Sequence, residues 1–192
     1  MKRVNNLEDF IKNAIKYLGS GYKYYKIVQI PAKKQHKTAQ ICEKIKNQYQ
    51  TSLSRGKRQY KRKLNKVNYG AINYRDIIII FRTAGEHNDD KNEFKEFKKN
   101  ITVEISEHLT LVFFRNEHKR ITVKLDKITF RRFREDFYLA IKNNNGYNYN
   151  KLKTMWRNLP RYKGIGSQGS QLHKYISTKL QEFNRNWKKL YN

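Results

Sequence analysis

Five consecutive residues, Ile77-Ile78-Ile79-Ile80-Phe81, restrict the fold more than any other stretch of this chain. In a strand, successive side chains point to opposite faces, so an unbroken apolar run has no side left for water. The run is too short for a helix and is bounded by Asp76 and Arg82, which reads as a strand buried on both faces. The rest of the chain must supply neighbours and cover for it.

Three more strands are expected in quick succession, at Ile101–Ile105, Leu109–Phe114 and Arg120–Leu125. Their connections are short enough for hairpins. Tyr22–Ile30, rich in aromatic and β-branched residues and closed by Pro31, reads as another strand. Leu7, Phe10, Ile11, Ala14, Ile15 and Leu18 share one helical face, with Asn5 or Asn6 as cap and Gly19 as stop. A second helix is expected from about Lys34 to Tyr49, directing Ile41, Cys42 and Ile45 inward. Tyr69-Gly70-Ala71 reads as a turn, and Phe94 and Phe97 suggest a short helix after the acid-rich start of Gly85–Lys99. Phe130, Phe133, Phe137 and Ile141 mark a helix broken at Asn143–Gly146. A short helix ending at Pro160 and a closing helix from about Ser170 complete the chain. This order predicts an α+β protein: one domain over residues 1–192, about five strands in an antiparallel or mixed sheet, and helices packed on one face. The segment 150–192 could form a helical subdomain of its own.

Charge decides what such a domain would meet. The 192 residues carry 43 Lys and Arg against 16 Asp and Glu, a net charge of +27. The 14% aromatic content argues against a disordered polycation, since disordered chains are poor in aromatics. One cysteine, Cys42, excludes an intramolecular disulfide and a cysteine-based zinc cluster. No apolar run reaches membrane-spanning length and the N-terminus lacks a signal-peptide pattern, so a cytoplasmic protein without a membrane partner is expected. An AT-rich genome accounts for some of the Lys and Asn, but not for the scarcity of acids. A polyanion is the expected partner, and a phosphate backbone is the simplest one.

The cations gather in places. Arg55–Lys66 holds Arg55, Lys57, Arg58, Lys61, Arg62, Lys63 and Lys66 without an acid. Leu53, Tyr60, Leu64 and Val67, within and just flanking it, fall at spacings of seven, four and three, so it reads as a basic helix lying on an apolar seam with its cations outward. A solvated charged linker is the competing reading. Arg131, Arg132 and Arg134 lie on the polar side of the Phe130–Ile141 helix, and Arg161 and Lys163 follow Pro160. Tyrosines interleaved with these cations could stack bases. Gly164, Gly166 and Gly169 precede the closing helix, where exposed backbone N–H groups could cradle phosphate. Locally this stretch resembles the Gly-x-x-Gly loop of KH domains, which implies a nucleic-acid-clamping loop, although no strand follows as a KH fold requires.

Two arrangements could carry catalysis. Five acids lie within Glu86–Glu96, after a strand that Asp76 begins. Asp76 with Glu93-Phe94-Lys95 resembles the Asp…Glu-x-Lys spacing of restriction-type nucleases, which implies magnesium held by Asp76 and Glu93 with Lys95 assisting. A solvated acidic loop opening a helix explains the same acids. Alternatively His36, among Lys33, Lys34 and Lys37, could serve as general acid or base in a metal-free ribonuclease. No two-histidine metal signature is present, so no metal or other cofactor is expected outside the nuclease reading. The leading expectation is a nucleic-acid-binding protein, of DNA or RNA, such as mobile elements and plasmids encode. The enzyme reading is the alternative, and the oligomeric state is left open.

Overall fold

The computed structural model describes residues 1–86 and 94–187. The protein is α+β, as the sequence predicts, with eight strands in two sheets and six α-helices among the described residues. The chain divides into two compact units, Met1–Asn100 with Arg115–Ile121, and Ile101–Phe114 with Thr122–Asn192.

The first unit is built on a mixed five-stranded sheet. Its strands are β1 (Lys2–Val4), β2 (Tyr22–Gln29), β3 (Tyr69–Tyr74), β4 (Ile77–Thr83) and β5 (Lys95–Glu96), in the order β1-β3-β4-β2-β5. The isoleucine run is the central strand β4, and every residue of β4 is buried. Helix α1 (Leu7–Gly19) covers one face: Tyr17 stacks on Phe81 at 5.0 Å and Phe10 lies 5.4 Å from Tyr74. Its cap is Asn6, whose side chain accepts from the Asp9 N–H. Helix α2 (Thr38–Gln48), reached through a 3-10 turn at Ala32–Lys37, lies over the opposite face. There Ile41, Cys42 and Ile45 pack with Ile78 and Ile80. Helices therefore cover both faces of this sheet rather than one, as a central strand with no wet side demands. Burial also pushes the Cys42 thiol up, as suits a packing residue. A short helix, α3 (Arg55–Lys63), leads from α2 into β3.

Two readings of this unit change. Tyr69-Gly70-Ala71 is not a turn but the start of β3, which pairs with β4 from Tyr69↔Arg82 to Tyr74↔Ile77. The turn is Arg75-Asp76, with Arg75 at φ 53°. Gly70 serves packing instead: a Cβ there would lie 2.1 Å from the Tyr17 ring. The helix expected through Phe94 and Phe97 is strand β5, which pairs with Tyr24 and Tyr25 of β2. Both phenylalanines are buried all the same.

The second unit holds β6 (Asn100–Ser106), β7 (Leu109–Arg115) and β8 (Ile121–Leu125) in the order β6-β7-β8. These are the three strands expected from the sequence, in a sheet of their own. Ile101, Val103 and Ile105 alternate with exposed residues along β6. Helices α4 (Lys127–Lys142), α5 (Gly146–Arg157) and α6 (Lys163–Glu182) complete the unit. Their aromatic residues meet edge to face, Phe137 with Tyr149 at 5.5 Å and Phe133 with Trp156 at 5.3 Å. Helix α6 begins at Lys163, seven residues earlier than Ser170, so the three glycines lie inside it. Gly164 lets the helix touch β8, since a Cβ there would lie 2.3 Å from the Val123 carbonyl oxygen.

Candidate nucleic-acid interface

Most of the basic run folds into α3, which is capped by Ser54, whose hydroxyl accepts from the Lys57 N–H. Six of its nine residues are cationic and none is acidic. Its rotation differs from the expected one. Arg58 donates to the Thr51 carbonyl at 2.8 Å, Lys61 to Gln50 Oε1 at 3.1 Å, and Arg62 to the Ser20 carbonyl at 3.2 Å. The Arg58 carbonyl accepts from Asn68 Nδ2 at 3.2 Å. These bonds hold the Arg58 and Lys61 side against the first unit. The expected seam is broken as a result: Val67 is buried, but Tyr60 is 65% exposed and Leu64 45% exposed. Arg55, Lys57 and Lys63 are exposed, and no acid pairs with any cation of α3 among the described residues.

The expected cations of the second unit are engaged differently. Arg131, Arg132 and Arg134 are all exposed on α4, yet each has a partner within the protein. Arg131 pairs with Glu135 at 3.4 Å. Arg132 reaches the Glu107 carbonyl at 3.3 Å and His108 Nδ1 at 3.1 Å, in the turn joining β6 and β7. The guanidinium of Arg134 lies 4.3 Å above the Tyr175 ring. These contacts fix where the arginines sit without neutralising two of the three.

Arg161 is exposed before α6. The glycine loop is not formed, because Gly164, Gly166 and Gly169 occupy the first two turns of α6. Gly164 and Gly169 are buried, and the Gly164 N–H already bonds Thr122 Oγ1 at 3.3 Å. Gln168 contributes its amide to the strand beside it, accepting from the Leu125 N–H at 2.8 Å and donating to the Leu125 carbonyl at 3.0 Å. The resemblance to a Gly-x-x-Gly clamp therefore ends at the residue pattern.

The nuclease constellation is not brought together by the described residues. Asp76 sits in the β3–β4 turn, where its carboxylate accepts from Gln29 Nε2 at 2.7 Å. Lys95 is exposed on β5 opposite Tyr25, which in turn faces Phe81. Five residues of strand separate Asp76 from that row, about 17 Å at the usual rise. Glu93, with His87, Asp89 and Asp90, lies outside the described residues. No group of three or more potential metal ligands occurs among the described residues. His36 is exposed on the 3-10 turn, with Lys33, Lys34 and Lys37 exposed around it. No helix among the described residues is long and apolar enough to cross a membrane.

The second unit also holds a cleft that a linear reading does not reveal. It opens between α4 and α5 with a volume of about 540 Å³, with Phe133, Leu139, Ala140, Leu152 and Met155 on its walls and Arg132 at its rim. Leu139 and Met155, 51% and 46% exposed, form its lips.

No protein-family model, curated protein or solved structure matches this chain.

Proposed function

We propose that this protein binds nucleic acid through the phosphate backbone, with α3 as the principal contact of the first unit. The observation that carries the reading is a helix with six cations in nine residues, no acid, and no acidic partner among the described residues. Like charges repel at i,i+3 and i,i+4, and α3 contains four such pairs: Arg55–Arg58, Lys57–Lys61, Arg58–Lys61 and Arg58–Arg62. At a few tenths of a kcal/mol each, these cost the isolated helix about 1–2 kcal/mol at low salt. Arg55 and Lys57 also stand at the positive end of the helix dipole, the unfavourable end for a cation. A polyanion along the exposed side adds attractions that offset these terms. Arg131, Arg132, Arg134 and Arg161 offer the second unit further phosphate contacts. Arg58, Lys61 and Arg62 have positioning work in the fold, so Arg55, Lys57 and Lys63 are the residues whose charge the partner would meet most directly.

The test is a salt titration of binding to labelled DNA and RNA. With five or more phosphates neutralised, log affinity falls against log salt with a slope steeper than about −4. Replacing Arg55, Lys57 and Lys63 by Gln leaves the circular dichroism spectrum unchanged and makes that slope shallower by about 2–3. A salt-independent affinity, or no binding to either polymer at low salt, overturns the reading.

A further inference from the structure

We infer that α3 engages unpaired nucleic acid, with the Tyr60 ring stacking on an exposed base while its cations hold the flanking phosphates. The inference rests on the phosphate-binding reading and adds the kind of strand bound. Its starting point is the rotation of the helix. Arg58, Lys61 and Arg62 are tied to Thr51, Gln50 and Ser20, which directs the other side of α3 to solvent. Away from the tied side stand Tyr60 and Lys63, with the C-capping Leu64 four residues beyond Tyr60, and Lys57, three residues before Tyr60, is exposed on the flank toward Lys61. An exposed tyrosine is ordinary by itself. Here the residue is 65% exposed, has Leu64 one turn away at 45% exposure, and stands between two cations that no acid offsets among the described residues.

A duplex makes poor use of this side. Its phosphates would meet Lys57 and Lys63, but its bases present only their edges, and reaching a base face requires unstacking at a cost of a few kcal/mol. A single strand offers a base face and a phosphate on each side of it within one nucleotide repeat, which matches an aromatic ring between two lysines. An anionic membrane would satisfy the lysines too. One tyrosine and one leucine on a nine-residue helix, however, give far less apolar face than an interfacial helix uses. The second unit repeats the pairing at Tyr147, 78% exposed in the first turn of α5, with exposed Lys151 one turn on.

The experiment measures anisotropy of a labelled single strand, the same strand with abasic sugars in place of bases, the matched duplex, and anionic vesicles. Wild type, Tyr60→Ala and Tyr60→Phe are compared. Base–aromatic stacking of about 1–3 kcal/mol corresponds to a loss of roughly five- to 150-fold. Tyr60→Ala should lose a factor in that range on the base-bearing strand, with an unchanged salt slope and an unchanged melting curve. Tyr60→Phe should keep wild-type affinity. Wild type on the abasic strand should match Tyr60→Ala on the normal one, and the duplex should be indifferent to the substitution. Equal affinity of wild type and Tyr60→Ala for the base-bearing strand, with a steep salt slope retained, overturns the stacking while phosphate binding stands. A Tyr60→Ala loss seen with vesicles instead of strands overturns it in favour of a lipid surface. Absence of binding to every nucleic acid removes both.

Discussion

Asp126 shows how one side chain can start an element and tie it to pH. Its carboxylate accepts from the Thr129 N–H at 2.8 Å and the Ile128 N–H at 3.3 Å, the donors that open α4. Burial pushes this carboxyl up, but bonds from Thr129 and Ile128 and the charge of Arg132 outweigh burial and hold it below the usual aspartate value. A carboxyl lowered in the folded state contributes stability that is present above its unfolded value, near pH 4, and is lost as pH falls through the lowered one. Asp126→Ala should cost about 1 kcal/mol at neutral pH in a urea titration, and the deficit should shrink toward acid as the wild type also loses the charged cap. Gly70 makes a second case at this scale. With its missing Cβ 2.1 Å from the Tyr17 ring, Gly70→Ala overpacks the α1 face and should cost about 1–3 kcal/mol. In a Tyr17→Ala background the same change should cost much less. An additive double-mutant cycle would show that the slot is not what fixes glycine there.

At the scale of elements, α3 and α6 show why composition alone misplaces a helix. Periodicity puts the cations of α3 outward and its apolar residues inward, yet Arg58 and Lys61 lean inward and Tyr60 and Leu64 outward. Three carbonyl or amide oxygens, on Thr51, Gln50 and Ser20, accept from side chains of α3 and set its rotation. None of the three can be foreseen from helical periodicity, because they come from turns of the chain rather than from the helix. A methyl group added at Gly56 would meet nothing within 4 Å beyond the helix's own backbone, and the residue has no positive φ. Gly56→Ala should therefore stabilise α3, by up to about 1 kcal/mol, slowing amide exchange in that helix first. Unchanged exchange would mean that the side-chain anchors, not helix propensity, limit its opening. In α6 the glycines look like a loop in sequence because three of them fall in six residues. They belong to the helix because Gly164 must pass against the Val123 carbonyl, where no side chain fits.

Across the whole molecule, 43 cations face 16 acids, so at least 27 have no acid to neutralise them. A salt slope for the wild type greater in magnitude than the 2–3 expected from Arg55, Lys57 and Lys63 would assign the remainder to cations outside that trio. Arg161 and the α4 arginines are the first to substitute in that event. The elements that sequence conveys best are those whose signal is contained in their own residues. The isoleucine run could only be a buried strand, α1 carries its stripe and its cap together, and β6 alternates residue by residue. The strands β1 and β5 escape a sequence reading because three and two residues are too few to show a period, and β3 because Tyr69-Gly70-Ala71 reads as a turn. Asn73 is wholly buried there, its Nδ2 donating to the carbonyls of Arg75 and Ile77 that close the hairpin.

The amino-acid order by itself determined that this chain folds around apolar strands despite its charge, that its class is α+β, and that its cations cluster at α3, at α4 and around Arg161. Tertiary structure alone decided that the strands divide into two sheets, that helices cover both faces of the first, that the glycines pack rather than cradle, and that Tyr60 faces outward. The division has a physical reason. Charge and hydrophobic period are carried by each segment along the chain, whereas the direction a side chain takes depends on acceptors, ring faces and close contacts supplied by residues far away in sequence.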